Sequence, residues 1–301
     1  MNGVPRVAVV IVSFETRETL LDALASLQAN AEMKLDVVVV DNASRDGSAD
    51  AVRARFPDVR VIANACNVGF SSACNQGARE SRAPLVLFLN PDATLTPGSL
   101  AALAALFEAR PRLGIAGPRT RSSNGDIQVS TGPDLALLAE WRQRRLVRGV
   151  ARRDAGALAK AEARHAVEHE PDWVSGACLM ARREALDAVG GFDERFFLYE
   201  EDADLCRRVR APGWQVVFTP AAEARHALGR SMARAPSRAR FEYHRSHLLY
   251  YRKHCGFLRH AALRLLLASR AGVELAAGAV SGDVGRCREG VALLRLALGG
   301  R

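Results

Sequence analysis

The sequence predicts an α/β protein: a mixed, mainly parallel sheet flanked by helices, followed by a C-terminal helical extension. Runs of β-branched residues alternate with segments of helical periodicity along the N-terminal half, which is typical of a parallel sheet. Polar residues follow directly after several of these runs, where such sheets bind their ligands. The chain has 301 residues and is 49% hydrophobic, so it can bury a large core and is not a disordered chain.

The alternation begins with a continuous apolar run at 7–13, which is typical of a strand buried on both faces. A helix is expected at 16–30, where leucines recur at helical spacing. The same pattern continues to residue 116. It predicts strands at 35–40, 59–63, 84–89 and 113–116, and helices at 48–56, 71–80 and 98–109.

The second half is less regular. An arginine-rich insert at 134–170 is expected to be a helical excursion that covers the site, contacts an acidic acceptor or, by default, forms a solvated face. Strands are expected at 173–181 and 215–219, the second ending in a turn at Pro220. Gly176 and its small neighbour would let a ligand approach the backbone. We therefore expect a domain at 1–235 that contains the insert, and a helical region at 236–301.

Six carboxylates lie close together in the stretch 190–208 of a chain whose formal net charge is +9. Acids this close raise each other's pKa unless cations, hydrogen-bond donors or a metal offset them. Aromatic residues such as Phe192 and Phe196 should pack this stretch into a wall, with some of its acids in a cleft. A helix should begin near Asp202, with Leu205 and Val209 on its buried side. A capped helix with solvated acids is the alternative.

Ser13, Asp41 and Asp92 each follow a predicted strand, so they should converge on one crevice. The alternative is that the two aspartates merely begin turns. The sequence has neither G-x-G-x-x-G after the first strand nor G-x-x-x-x-G-K-[ST]. A bound diphosphate would therefore need a divalent cation such as Mg²⁺, which Asp92 could hold. His226 is as compatible with a role as a further ligand as with an ordinary packed histidine.

The chain has 42 basic residues against 33 acidic ones, and only three of the basic residues are lysines. This excess suits phosphate-bearing partners: a nucleotide, a nucleic acid or an anionic membrane. A source genome that favours arginine codons is an alternative explanation. A nucleic-acid-binding protein is the weaker hypothesis, because aromatic residues are only 6% and cluster with the carboxylates.

The six cysteines show neither C-x-x-C pairs nor zinc-site spacing, so we expect reduced, mostly packed thiols. The sequence also lacks a signal peptide and a long apolar run, which predicts a cytoplasmic protein. The apolar stripe around Leu258 has basic neighbours and fits packing, a homodimer contact or an anionic membrane. Packing or pairing is favoured there, and the leucine-rich tail 291–298 is the better candidate for contact with the inner membrane face.

Several short motifs, taken in order, resemble the family 2 glycosyltransferases of the GT-A fold over most of residues 5–235. The later ones look most like bacterial rhamnosyltransferases, and also like galactofuranosyl transferases. The motifs are Val12-Ser13-Phe14, Val40-Asp41-Asn42-Ala43-Ser44-x-Asp46-Gly47-Ser48, Asn67-x-Gly69-Phe70 with Asn75, Leu89-Asn90-Pro91-Asp92, Gly176-Ala177, Gly190-Gly191-Phe192-Asp193-Glu194-x-Phe196-Phe197, Glu201-Asp202-x-Asp204-Leu205 and His226-x-x-Gly229-x-Ser231.

The resemblance implies a role for each matching residue. Asp41 would contact the nucleobase or ribose, Asp92 would hold Mg²⁺ or Mn²⁺ on the diphosphate, and His226 would help bind metal or diphosphate. Asp202 would be the catalytic base, with Glu201 placing the acceptor. Further donor-side residues would be Ser13, Asn67, Gly69, Asn75, Asn90 and Gly176, and further acceptor-side residues Trp173 and Asp204.

Two departures from the family pattern matter. The D-x-D motif begins with Asn90, so one carboxylate fewer faces the metal. The Q-x-x-R-W motif and membrane spans of processive synthases are missing, which favours addition of one or few sugars. The resemblance thus implies an inverting transferase that uses dTDP-L-rhamnose or a UDP-sugar and a glycan or lipid-linked acceptor. A non-catalytic nucleotide-sugar-binding module would be expected to have lost Asp92 or Asp202.

Overall fold

The computed structural model describes residues 6–30, 33–227 and 236–299. The strands of these segments are listed first. They are β1 (Val7–Ser13), β2 (Leu35–Asp41), β3 (Arg60–Ala63), β4 (Leu85–Leu89), β5 (Ala93–Leu95), β6 (Leu113–Arg121), β7 (Thr131–Gly132), β8 (Trp173–Val174), β9 (Cys178–Arg182) and β10 (Gln215–His226).

The helices of the same segments divide into an N-terminal group, an insert pair and a C-terminal group. They are α1 (Arg17–Gln28), α2 (Ser48–Arg55), α3 (Phe70–Arg79), α4 (Ser99–Ala109), α5 (Leu137–Ala151), α6 (Ala155–Arg164), α7 (Arg183–Val189), α8 (Glu201–Arg210), α9 (Pro236–His254), α10 (Gly256–Ser281) and α11 (Val284–Leu298).

Eight strands form one mixed sheet in the order β3-β2-β1-β4-β9-β6-β10-β5. β1 pairs in parallel with β2 and β4, and β10 pairs in parallel with β6, whereas β9 runs antiparallel to both of its neighbours. All seven residues of β1 are buried, as its continuous apolar sequence predicts for a central strand covered on both faces. The predicted sheet is therefore confirmed.

Helices cover both faces of the sheet. One core contains Leu20, Leu100 and Leu103 from α1 and α4, and the opposite core contains Ala73, Leu205 and other residues from α3, α7 and α8. The second core also includes Val209, so the predicted buried side of α8 is confirmed. The carboxyl ends of β1, β2 and β4 consequently meet at one edge between the helical layers.

Two sequence-based strand boundaries are wrong. The strand expected at 173–181 is broken at 175–177, because β8 pairs with β7 in a separate small sheet while β9 joins the main sheet. The turn expected at Pro220 is absent. Instead β10 continues to His226 through a register shift between Thr219 and Glu223, which carries the histidine to the far edge beside β5.

The C-terminal helices pack on the sheet domain through a third core, which includes Phe196, Tyr250, Tyr251 and Leu267. Both apolar stretches of this region are packed on one side only. Leu296 in the tail is buried but Leu298 is 70% exposed, and on α10 Leu267 is buried whereas Leu258 and Leu265 are 80% and 72% exposed. In the segments seen here, no helix combines the length and apolar character that crossing a bilayer requires. The six cysteines are all unpaired, as expected.

Candidate active site

A cavity of about 490 Å³ opens at the carboxyl ends of β1, β2 and β4. It brings together residues from widely separated parts of the sequence, as the strand-end argument predicted. Its polar lining includes Asn42, Asn67, Asn90, Asp92, His226 and Glu242.

Asp92 and His226 meet at the floor of this cavity. The His226 Nε2 atom is 3.1 Å from Asp92 Oδ1, and both side chains are about nine-tenths buried (11% and 7% exposed). Gln128 Nε2 donates to the backbone oxygen of His226 at 2.7 Å, which leaves Gln128 Oε1 facing the His226 Nδ1 atom at 3.3 Å. The Nδ1 atom must therefore carry a proton, and a neutral ring would point its Nε2 lone pair at the Asp92 carboxylate.

The Asn90 Nδ2 atom also lies 3.4 Å from His226 Nε2, so three polar side chains meet here. A divalent cation bound between the Asp92 carboxylate and the imidazole would be held by both side chains. Carboxylate oxygen and imidazole nitrogen are suitable ligands for Mn²⁺, and the oxygen also for Mg²⁺. Among residues 6–30, 33–227 and 236–299 there is no group of three acidic, histidine or cysteine ligands for a metal. Such a cation would therefore depend on the oxygens of a bound diphosphate.

Asp41 ends β2 beside this cavity and is 3% exposed. Its Oδ2 accepts a hydrogen bond from the backbone N–H of Ser44 at 3.1 Å, whereas its Oδ1 is buried and finds no hydrogen-bond partner within residues 6–30, 33–227 and 236–299. An unpartnered buried acceptor is costly, so a bound ligand with an N–H or O–H donor would relieve it. Neighbouring Ser13 is fully buried and its hydroxyl bonds to Thr16, so it lies behind the cavity rather than in it.

Gly69 has a backbone conformation (φ 89°, ψ 168°) that is essentially restricted to glycine. Asn67 Oδ1 accepts from the Gly69 N–H at 3.0 Å, and Asn42 Nδ2 donates to the Gly69 oxygen at 3.2 Å. A Cβ at Gly69 would lie 2.8 Å from the backbone oxygen of Phe197, so the two loops touch directly. Asn67 and Gly69 thus shape the cavity wall together.

Asp202 lies at the start of α8 and is partly exposed. Its Oδ2 accepts from the Gly176 N–H at 2.8 Å, and its Oδ1 accepts from the Ala203 N–H at 2.8 Å. The oxygen of Ala177 in turn accepts from the Asn90 N–H at 2.9 Å. The three-residue break between β8 and β9 therefore ties the Asp202 carboxylate to the loop that carries Asn90 and Asp92.

Burial raises the pKa of Asp202 to about 6, and the nearby charge of Glu200 adds to this rise, although the two backbone N–H groups oppose it. Glu201 is buried, its Oε2 has no hydrogen-bond partner among the described residues, and its pKa is raised well above the usual value by burial and then by the charge of Asp202. At neutral pH Asp202 is mostly ionised and can accept a proton, whereas the raised pKa of Glu201 shifts that residue towards the protonated form, which donates a hydrogen bond.

Comparison with known proteins identifies the family of the chain. The family described as Glycosyltransferase like family 2 matches residues 5–243 of the chain. The chain belongs to glycosyltransferase family 2. It is 33% identical over 271 residues to N-acetylglucosaminyl-diphospho-decaprenol L-rhamnosyltransferase of Mycobacterium tuberculosis, an alignment that covers 86% of this chain and 88% of that protein.

Solved structures confirm the GT-A fold of this family 2 glycosyltransferase. A mannosyltransferase of Pyrobaculum calidifontis, solved with GDP-Man and Mn²⁺, has a TM-score of 0.59 at 19% identity and covers 99% of this chain and 87% of its own. GalNAc-T7, solved with UDP, GalNAc and Mn²⁺, has a TM-score of 0.53 at 14% identity and covers 75% of this chain and 44% of its own. These similarities establish the fold.

Not every expected site residue of this glycosyltransferase reaches the cleft. Asp204 is fully buried and bonds to Arg208 and Lys253 at 2.6 Å each and to His254 at 2.7 Å. Burial would raise its pKa, but the hydrogen bond from His254 and the charges of Arg208 and Lys253 outweigh it, and the pKa is lowered. Asp204 therefore fastens α8 to α9, and its acceptor-side assignment does not fit.

Asn75 and Trp173 also have structural roles. Asn75 Nδ2 donates to the Phe192 oxygen and Asn75 Oδ1 accepts from the Phe192 N–H, both at 2.9 Å, so its amide fixes a loop outside the cavity. Trp173 donates to the Pro133 oxygen at 2.9 Å and packs against both the sheet core and the C-terminal core. Gly229 and Ser231 of the late motif lie outside the described residues.

Two residues of α9 line the 490 Å³ cavity of the glycosyltransferase although no sequence motif marks them. The Arg238 guanidinium lies 5.3 Å from the centre of the Phe197 ring, and it has no ion-pair partner within the described segments. Glu242 is 7% exposed and forms an ion pair with Arg245 at 3.3 Å. Both reach the cavity only because α9 folds back over it.

Proposed function

We propose that the chain transfers a single sugar, with L-rhamnose favoured, from a nucleotide-diphosphate donor to a hydroxyl of a lipid-linked acceptor. The observation that supports this best is the bridge at 175–177, which bonds to Asp202 on one side and to the Asn90–Asp92 loop on the other. This connection supports a role for Asp202 as the base for a donor held by that loop. Inversion follows from one base and direct attack on the anomeric carbon.

The chemistry assigns a step to each side chain. Asp202 takes the proton of the acceptor hydroxyl while that oxygen attacks the anomeric carbon and the nucleotide diphosphate departs. Glu201 beside it orients the acceptor through a hydrogen bond. Asp92 and His226 would hold a divalent cation, which when bound stabilises the negative charge of the leaving diphosphate. Arg238 has no ion-pair partner among the described residues and can add a further positive charge beside the leaving diphosphate.

The donor and the acceptor are inferred from the relative in Mycobacterium tuberculosis, whose name specifies L-rhamnose transfer to N-acetylglucosaminyl-diphospho-decaprenol. We infer dTDP-L-rhamnose as the first donor to test, with UDP-galactofuranose as the alternative. The role would be in cell-surface polysaccharide or glycolipid synthesis.

Such an acceptor also favours a peripheral contact with the inner membrane face. The apolar stripe of α10, with Leu258 and Leu265 exposed and the exposed Arg259 beside it, is suited to an anionic surface. The tail 291–298 is the weaker candidate, because Leu293 and Leu296 are buried.

The experiment measures donor binding and single-turnover transfer for three variants. Asp202→Asn should keep donor affinity and lose transfer by about 10²–10⁴-fold, because only basicity is removed. Asp92→Ala should weaken donor binding as strongly as EDTA weakens it in the wild type. Glu201→Gln keeps a hydrogen-bond donor and should cost less than Asp202→Asn.

Two results would contradict these assignments. Near wild-type transfer by Asp202→Asn would move the base elsewhere. Donor binding without detectable transfer to any lipid-linked acceptor would favour a nucleotide-sugar-binding module instead.

A further inference from the structure

A second and larger cavity, of about 1080 Å³, lies between the insert helices α5 and α6 and the C-terminal helices α9 and α10. We call it the cationic groove, defined by Trp141, Arg145, Arg148, Arg152, Lys160 and Arg270. None of these residues belongs to the donor cavity. The insert, whose default interpretation from sequence is a solvated face, therefore forms one wall of a groove.

The positive charge of the groove follows from the spacing of residues on α5. Four arginines follow Trp141 by three, four, seven and eleven positions, at 144, 145, 148 and 152. This spacing places all five residues on one face of the helix. Arg148, Arg152, Lys160 and Arg270 have no ion-pair partner anywhere in segments 6–30, 33–227 and 236–299. Unpaired guanidinium groups converging on one cavity favour a phosphate-bearing ligand.

Apolar side chains share the same groove. Trp141 and Leu266 are 58% and 55% exposed, and Leu263 and Leu267 also line it. On α10 the neighbouring Leu265 is exposed beside Leu266. Cations next to a continuous apolar surface suit an amphiphilic anion better than a free nucleotide or inorganic phosphate.

The floor of the groove reaches the catalytic helix. His247 on α9 lines the groove, and its Nδ1 is 3.0 Å from the carboxylate of Glu200, the residue that precedes α8. Its Nε2 is 3.1 Å from Glu140 of α5. Helix α9 also supplies Glu242 to the donor cavity, so one helix lines both cavities. A ligand in the groove would therefore be separated by His247 from Glu200, the residue that precedes Glu201 and Asp202.

We propose that the cationic groove binds the diphosphate and the first part of the lipid chain of a polyprenyl-diphosphate-linked acceptor. This inference rests on the proposed function, because it names the half of the substrate that the donor cavity does not hold. The arginines of α5 contact the diphosphate, the apolar residues contact the lipid, and the attached sugar extends towards Asp202. Free pyrophosphate has the same charged group, and an anionic membrane offers similar phosphates.

The test compares the groove variant Arg148→Gln/Arg152→Gln with the control Arg82→Gln/Arg288→Gln. All four arginines are exposed, and both variants remove two positive charges, but Arg82 and Arg288 lie outside the groove. Calorimetry in neutral detergent would measure binding of farnesyl diphosphate and of inorganic pyrophosphate. The groove variant should bind farnesyl diphosphate at least tenfold more weakly than the control does. Wild-type protein should prefer farnesyl diphosphate to pyrophosphate, because only the former contacts the apolar side chains.

Equal affinity of the two variants for farnesyl diphosphate would overturn the proposal. So would a groove variant that loses binding only to phosphatidylglycerol vesicles, since the groove would then contact the membrane surface. Binding of dTDP-L-rhamnose serves as the independent readout and should be unchanged in both variants. The groove and the proposed function can fail separately: groove-dependent lipid binding without sugar transfer retains the groove, and normal transfer by the groove variant retains only the function.

Discussion

The raised pKa of Asp202 predicts a specific pH dependence of sugar transfer. With a pKa of about 6, roughly nine-tenths of this carboxylate is ionised at pH 7 and roughly one-tenth at pH 5. Transfer should therefore fall about tenfold between pH 7 and pH 5. An aspartate with the ordinary value of 3.8 would remain almost fully ionised over this range. The pH profile thus distinguishes a base whose pKa is raised by partial burial from a fully solvated one.

The assay is single-turnover transfer at saturating donor, with the donor affinity measured at each pH so that protonation elsewhere in the donor cavity is accounted for. The variant Glu200→Gln provides a second check, because the charge of Glu200 helps raise the pKa of Asp202. Its profile should move to lower pH. A flat rate between pH 5 and pH 7 in the donor-saturated wild type would refute the assignment of Asp202 as the base.

Three further predictions concern stability and membrane contact. Burial lowers the pKa of His247, but the interactions with Glu140 and Glu200 outweigh it and raise the pKa to about 9. The stabilisation from this histidine should be complete below pH 6.5, and up to about 3 kcal/mol of the free energy of unfolding should be lost by pH 9. In urea titrations, His247→Gln should abolish this pH dependence of the free energy of unfolding, whereas the control His244→Gln, at a residue whose pKa burial lowers to about 4, should keep it. Gly69→Ala should cost several kcal/mol more than Gly98→Ala. Both glycines have positive φ, so both substitutions add ~1–3 kcal/mol of backbone strain, but only a Cβ at Gly69 would also clash with another backbone. Equal melting temperatures of the two variants would contradict this. Leu258→Gln should reduce flotation with anionic vesicles without changing donor binding, and unchanged flotation would exclude the α10 stripe as the contact.

The sheet and the strand-end residues could be predicted because their signals are local. A strand buried on both faces must be apolar throughout, as β1 is. A polar residue at the carboxyl end of such a strand, as Asp41 is at the end of neighbouring β2, is then placed to bind a ligand. The sequence left a ligand role for His226 beside Asp92 as one of two alternatives, and the family resemblance favoured it. Physically the pairing depends on a strand that passes through a register shift, which no local pattern indicates.

The acids of 190–208 show why the rest could not be predicted. Asp202 and Asp204 are two residues apart in a sequence of uniform acidity, but one meets a backbone N–H of a distant loop and the other meets the cations of α9. Their opposite pKa shifts arise from these partners rather than from their spacing. The role of α9 itself, which supplies Glu242 to one cavity and His247 to the other, is likewise a property of tertiary packing.

The short bridge at 175–177 has a kinetic consequence. One peptide segment contacts the Asp202 carboxylate through the Gly176 N–H and the Asn90–Asp92 loop through the Ala177 oxygen, with only the backbone of these two residues between the contacts. Under the proposed roles of this loop and of Asp202, a displacement of the loop on donor binding would reach the carboxylate through this short connection. Binding of the donor before the acceptor is then the expected order of substrate addition.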